Sequence, residues 1–356
     1  MENRAKVLLV GAAFSADLHL DAYKRCQEIA EVVAICDKDA SRIDSLVKKY
    51  GLEGIASYDD YEKAISEVDC DLVSVCMPNF LHHDVAMTAL KKGRHVIVEK
   101  PLATTIEDGK AMLEAAEKAG KKIYYAENWH FTPAINRALN IIEEGGIGKP
   151  LYVRARETHS GSHSPFAQKI KYCGGGCMIH LGIHSIGFIM AFKKGRWTEL
   201  SAMTSGGGDN NILHNKMEGE DWATCSMKFD DGTTALLEAN YITTGGMEDV
   251  ISFYGTKGCM HLDMTFSSPI NCFSIPGLNY TVEKAETTTG WSNPAVDEKH
   301  NLGYVDEIRH FVECSLKNQE AKPGMRGVDG LEVLEVVNLI YKSAKEGVKL
   351  NNERMS

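Results

Sequence analysis

The residues best placed to do chemistry are a lysine and a pair of histidines. Lys100 closes the run Val96-Ile97-Val98-Glu99-Lys100-Pro101, where apolar β-formers stop at a carboxylate, an ammonium and a proline. An ammonium at the end of a buried strand can polarise a substrate oxygen or share its proton; the competing reading is an ordinary salt bridge at a strand end. His180 and His184 follow the glycines Gly174-Gly175-Gly176 at positions i and i+4 of an expected helix, so one face carries both imidazoles. A histidine facing a lysine across a nicotinamide can remove a proton from a substrate hydroxyl while hydride leaves its carbon.

Signals for a dinucleotide lie near the start of the chain. Gly11-Ala12-Ala13-Phe14-Ser15-Ala16 is a turn between an apolar strand and a helix, a setting in which backbone N–H groups and the helix dipole face a pyrophosphate. Ala13 stands where a second glycine would let phosphate approach the backbone, so its methyl should push the phosphates outward or shift the turn. Asp37, just past the second strand, can bind both ribose hydroxyls and repel a 2′-phosphate, which favours NAD; Lys38 and Arg42 keep NADP open as the less favoured cofactor. Met77-Pro78-Asn79, with His82, forms a turn after another strand that could cover ribose and nicotinamide.

These groups need a scaffold that gathers strand ends. Short apolar strands alternate with helices over residues 1–127, which predicts an α/β, doubly wound parallel sheet. Right-handed crossovers then place Gly11, Asp37, the 77–79 turn, Glu99, Lys100 and Asn128 on one edge. Residues 128–356 read differently. Strands at 151–158, 197–204, 222–229, 233–241, 249–254 and 259–264 are joined by short turns, with helices near 177–191, 304–317 and 327–346. This is an α+β domain with a large open, mostly antiparallel sheet, taken as the substrate and oligomerisation domain. A bare sheet face should expose apolar surface and drive homo-oligomerisation.

Two other readings attach to the histidines. They can be hydrogen-bonded core residues, or, with Glu157, His159 and His163 nearby, part of a ligand set for a divalent metal. The acid–base role needs no metal and also accounts for Lys100. Trp129, Tyr172, Trp222, Tyr241 and Trp291 are candidates for stacking on sugar rings.

A net charge of −10 argues against nucleic acid or an anionic membrane as partner. Ten cysteines without a Cys-x-x-Cys pair, and no signal-like start, give the expectation of a cytoplasmic, reduced protein.

The chain resembles the Gfo/Idh/MocA oxidoreductases over nearly its whole length. The resemblance is carried by the turn at 11–19, Asp37, Glu99-Lys100-Pro101-Leu102-Ala103, Gly145-Gly146-Ile147-Gly148, the three glycines with His184, and the segment 303–347. It implies an N-terminal Rossmann domain, a C-terminal open-faced sheet, NAD or NADP, and sugar, polyol or related cyclic substrates. It also implies that Lys100 and His184 hold the catalytic lysine and histidine positions. Ala13, His180 (in place of an aspartate) and His130 (in place of an arginine) depart from the family pattern. The expected reaction is hydride transfer from a secondary hydroxyl of a sugar, glycoside or cyclitol, with Trp129, His159, Tyr172 and His180 as further substrate contacts. The alternative is a glycosidase or sugar-to-sugar oxidoreductase that uses tightly bound NAD cyclically.

Overall fold

The structure, a computed structural model, describes residues 4–162, 164–265, 268, 270–278 and 287–352. His163, one of the metal-ligand candidates, lies outside them. The chain divides into two compact units, residues 1–131 with 303–335 and residues 132–302 with 336–356.

In the first unit, β1 (Ala5–Val10), β2 (Ala30–Cys36), β3 (Ala56–Tyr58), β4 (Leu72–Val75), β5 (His95–Glu99) and β6 (Ile123–Ala126) alternate with α1 (Phe14–Arg25), α2 (Ala40–Tyr50), α3 (Tyr61–Glu67), α4 (His82–Lys91) and α5 (Ile106–Ala119). The strands form one parallel sheet in the order β3-β2-β1-β4-β5-β6. Every residue of β4, β5 and β6 is buried, as their mostly apolar runs require in a sheet covered on both faces. Strand order reverses between β1 and β4, where such sheets bind ligands. Thr105 caps α5 by accepting from the Asp108 N–H at 3.1 Å.

Gly11 follows β1 at that reversal. Its φ is +103°, and a Cβ there would stand 2.1 Å from the Cys76 carbonyl oxygen. Gly11→Ala should therefore destabilise the protein by about 2–4 kcal/mol through backbone strain and overlap. Urea unfolding would read this as a lower midpoint at unchanged slope; an unchanged midpoint would refute it.

The second unit contains α6 (Pro133–Glu143), β7 (Pro150–Ser160), α7 (Ile170–Cys173), α8 (Ile183–Phe192), β8 (Trp197–Thr204), β9 (Trp222–Phe229), β10 (Thr234–Asn240), β11 (Ile242–Gly255) and β12 (Cys259–Asp263). A separate ribbon, β13 (Cys272–Ser274) with β14 (Gly290–Ser292), and α9 (Glu298–Asn301) follow. The main sheet runs β12-β11-β7-β10-β9-β8-β15, the last being Leu350–Asn351. β7 and β10 are parallel and the other pairs antiparallel.

Val153 and Ala155 of β7, Leu237 and Ala239 of β10, and Ile251 and Phe253 of β11 are buried on one face with Ile183, Ile186 and Phe188 of α8. Phe188 meets Phe253 edge to face at 6.0 Å. Residues 170–192 are apolar enough to cross a membrane by length and composition, and they are mostly buried inside the protein. The opposite face is mixed, with Met203 and Tyr254 exposed among polar residues. It carries Arg156 paired with Glu248 at 2.7 Å and Lys228 with Glu199 at 3.7 Å, along with exposed Arg154, Ser201 and Ser226. The same period-2 alternation that turns the apolar residues inward turns these polar ones out.

Two late helices follow, α10 (Tyr304–Leu316) and α11 (Gly327–Glu346). Phe311 stacks on Tyr124 at 5.4 Å, and the Tyr125 N–H donates to the Met325 carbonyl at 2.8 Å. Residues 303–335 thus belong to the first unit, so a single division at 127/128 does not describe the chain. All ten cysteines are free, and all but Cys259 and Cys272 are buried.

Candidate active site

The carboxyl edge of the first sheet carries the cofactor candidates. Gly11 leads into α1, whose N-cap, Ala13, makes no side-chain cap bond, so the first-turn N–H groups are left to an incoming anion. Ala13 has φ −92°, a conformation any residue adopts, so its methyl does not strain the turn. At the start of this helix Phe14 is exposed and Ser15 half-buried. Asp37 Oδ2 accepts from the Ala12 N–H at 2.8 Å and Oδ1 from the Asp39 N–H at 2.9 Å. The carboxylate is thereby locked beside the glycine turn. Lys38 and Arg42 are exposed, and Arg42 lies 3.4 Å from Asp39. Met77 and Pro78 are half-buried and Asn79 is buried.

His82 is also buried. Its ring nitrogens lie 2.7 Å from the Pro101 carbonyl and 2.8 Å from the Met77 carbonyl, so the residue read as a cofactor contact has both nitrogens engaged by backbone. Burial pushes its pKa down.

Lys100 is half-buried at the end of β5. Its neighbour Glu99 accepts from His19 Nε2 at 2.8 Å, and His19 Nδ1 meets Ser74 Oγ at 2.7 Å. Burial opposes charge on both partners, yet His19 is held above and Glu99 below the ordinary range, Cys76 and Glu99 acting on the histidine and His19 on the carboxylate. Beyond β6, burial pushes Glu127 up to about 8, and burial with the Glu99 charge holds Glu307 well above a normal carboxylate. His130 is pushed down to about 4 by burial and by Lys322. Asn128 and Trp129 are buried here as well. Trp129, a stacking candidate, is 2% exposed.

In the second unit the helix bearing the histidines starts with a π-helical turn, Met178–Gly182, before α8. Such turns are frequent at functional sites. A Cβ on Gly176 would stand 2.1 Å from the Glu220 carbonyl oxygen, so the three glycines admit a close crossing of backbone. Glu220 fixes the start of the turn: it accepts from the Met178 N–H at 2.9 Å and from Tyr341 Oη at 3.0 Å, and burial pushes it up to about 7.

The two histidines have different partners. His180 Nδ1 meets Tyr241 Oη at 2.6 Å. His184 Nε2 lies 3.9 Å from Glu157 Oε2, and Glu157 Oε1 lies 3.6 Å from His159 Nε2. Asp249 stands opposite Glu157 in the β7–β11 ladder. Glu157, His159, His184 and Asp249 are all under 8% exposed.

Glu157 follows Val153 and Ala155 at period 2 on the face toward α8, a placement the strand pattern permits but which the sequence suggests only as a metal ligand. Among the described residues no group of three or more histidine, cysteine, aspartate or glutamate side chains is arranged to hold a metal ion. Tyr241 is buried, Tyr172 half-buried, and Trp291 lies on the β13–β14 ribbon against Phe273.

Comparison with known proteins adds to this geometry. The model of an oxidoreductase family with an NAD-binding Rossmann fold matches residues 5–127, and that of the GFO/IDH/MocA C-terminal domain matches residues 135–261. The chain is 28% identical to D-apiose dehydrogenase of Paraburkholderia graminis, over 97% of this chain and 88% of that protein. It is 25% identical to D-glucoside 3-dehydrogenase of Escherichia coli, over 97% of both. Among solved structures, GenD2 from gentamicin A biosynthesis, in complex with NAD, superposes with a TM-score of 0.89 at 22% identity, covering 99% of this chain and 97% of that one.

Proposed function

The chain belongs to the Gfo/Idh/MocA oxidoreductase family, and from that premise we propose that it is an NAD-dependent dehydrogenase acting on a secondary hydroxyl of a sugar, glycoside or cyclitol. The observation that carries this reading is the carboxyl edge of the first sheet, which gathers Gly11, the uncapped start of α1 and Asp37 on the same edge as Lys100 at the end of β5. Names of similar proteins, D-apiose dehydrogenase and D-glucoside 3-dehydrogenase, support the substrate class.

These residues fit a dinucleotide. The N–H groups at the start of α1 would hold its pyrophosphate and Asp37 its adenosine ribose; bound there, NAD would supply the acceptor for hydride from the carbinol carbon. The protein's own task is the proton. Lys100 donates a hydrogen bond to the reacting oxygen, and His184 takes the hydroxyl proton, with the Glu157 carboxylate favouring the imidazolium that results.

The test is the ultraviolet absorbance of reduced cofactor when NAD or NADP is mixed with protein and D-apiose, methyl β-D-glucoside or scyllo-inositol, within a broader polyol panel. Reduction by at least one is expected. Failure across the panel with both cofactors would refute the proposal.

Asp37→Asn keeps an acceptor for the Ala12 N–H and removes the charge. Losing one charged hydrogen-bonding partner, about 1.5–3 kcal/mol, should raise KM for NAD by roughly 10–100-fold and lessen discrimination against NADP. Unchanged cofactor preference would remove Asp37 from the ribose site.

A further inference from the structure

Lys100 is the middle residue of three whose neighbours on both sides are held by histidines from other elements. On one side, Glu99 accepts from His19 at 2.8 Å, and His19 reaches Ser74 of β4 with its other nitrogen at 2.7 Å. His19 lies in α1, the helix whose N-terminus faces the proposed pyrophosphate. On the other side, the Pro101 carbonyl lies 2.7 Å from His82 Nδ1, while His82 Nε2 is 2.8 Å from the Met77 carbonyl. His82 opens α4, and Met77 begins the turn assigned to the nicotinamide side. Exposure is 0% for His19, 1% for His82 and 8% for Glu99.

Buried polar groups in low dielectric make strong, directional bonds, and leaving one unmade is costly. Each histidine therefore fixes a distance. A flexible four-carbon side chain cannot be aimed better than the backbone that carries it. We infer that His19 and His82 are positioning residues for Lys100, joining its two flanking residues to the helix and the turn that hold the cofactor. Neither ring is assigned a contact with substrate. A neutral His82 ring donates its one N–H to one of the two carbonyls, and only the imidazolium donates to both.

The inference rests on the reading of Lys100 as a proton-handling group. It differs from a purely structural role in one measurable respect: loss of a strap should lower kcat and spare cofactor affinity. Displacement of a reacting group by about 1 Å can cost roughly 100-fold in rate.

The experiment compares His82→Leu, His82→Gln, His19→Gln and Lys100→Ala in the full chain. It measures thermal unfolding, NAD affinity by quenching of tryptophan fluorescence, and kcat with the panel compound that wild type turns over fastest. His82→Leu should lose about 100-fold in kcat, with NAD affinity within about threefold. His82→Gln supplies a side-chain amide with two N–H groups and should restore at least about tenfold of that loss. Should the apolar variant not fold, the two glutamine variants, which retain a donor, carry the comparison: each should lose more kcat than NAD affinity.

Folded His82 variants with wild-type kcat, or with NAD affinity falling as far as kcat, would overturn the inference while leaving an inactive Lys100→Ala to support the parent reading. Wild-type-like turnover by Lys100→Ala would overturn the parent reading itself, whatever the histidine variants do.

Discussion

Lys100→Ala turns over at no more than about a thousandth of the wild-type rate, while the protein folds and binds NAD as before. The magnitude follows from the task. Removing one preorganised donor from a developing charge costs about 100–1000-fold, and proton transfer by a placed side chain contributes about 100–10,000-fold. A thousandfold loss is about 4 kcal/mol in the barrier. Folding should be spared because Lys100 is half-buried and the histidine straps attach to its neighbours Glu99 and Pro101 rather than to its ammonium. Cofactor binding should be spared because Gly11, the α1 N-terminus and Asp37 are separate groups. Steady-state kinetics with a fluorescence titration of NAD checks both halves, and a kcat within tenfold of wild type would end the assignment.

The second large effect is at His184. His184→Asn should lower kcat by about 100–10,000-fold, the range for loss of a general base. Glu157→Gln should lower it by a smaller factor, roughly 10–100. The reasoning is electrostatic. Opposite charges 4 Å apart interact by about 4 kcal/mol at an effective dielectric of 20, and Glu157 lies 3.9 Å from His184 Nε2. Only part of that is recovered as rate, because His159 at 3.6 Å competes for the same carboxylate. The double variant should be no worse than His184→Asn alone, since Glu157 acts through the imidazole. Additive losses in a double-mutant cycle would show Glu157 working on something else. His180→Asn, which removes the partner of Tyr241, should cost less than either if His184 is the base.

Much of this is legible in the amino-acid order alone. Six short apolar runs with intervening helices impose the parallel sheet, and its edge collects Gly11, Asp37, Met77 and Lys100 because strand ends, not side-chain details, decide that position. What is not legible depends on contacts between residues far apart in the chain. His19 and Glu99 are 80 positions apart, and no local pattern marks their pairing. His82 reads as a loop residue near a cofactor, yet its nitrogens are turned to two carbonyls that only the β4 and β5 neighbourhood supplies. Trp129 follows a strand and reads as a stacking candidate, and the turn buries it. Glu157 requires the parity of β7 to be counted inward from Val153, and the mixed outer face of the same sheet requires it to be counted the other way. The helical pair at 180 and 184 has the right period, and the π turn still gives its two members separate partners.

Residues 303–335 have a consequence for how the molecule is made. They complete the first unit roughly 200 positions after residue 131. At about 5–20 residues per second of synthesis, that interval is about 10–40 s. Throughout it the aromatic side of β6 waits for Phe311, and the Tyr125 N–H waits for the Met325 carbonyl. The nascent dinucleotide unit is therefore born unfinished, with one flank open, and closes only after most of the second unit has been synthesised.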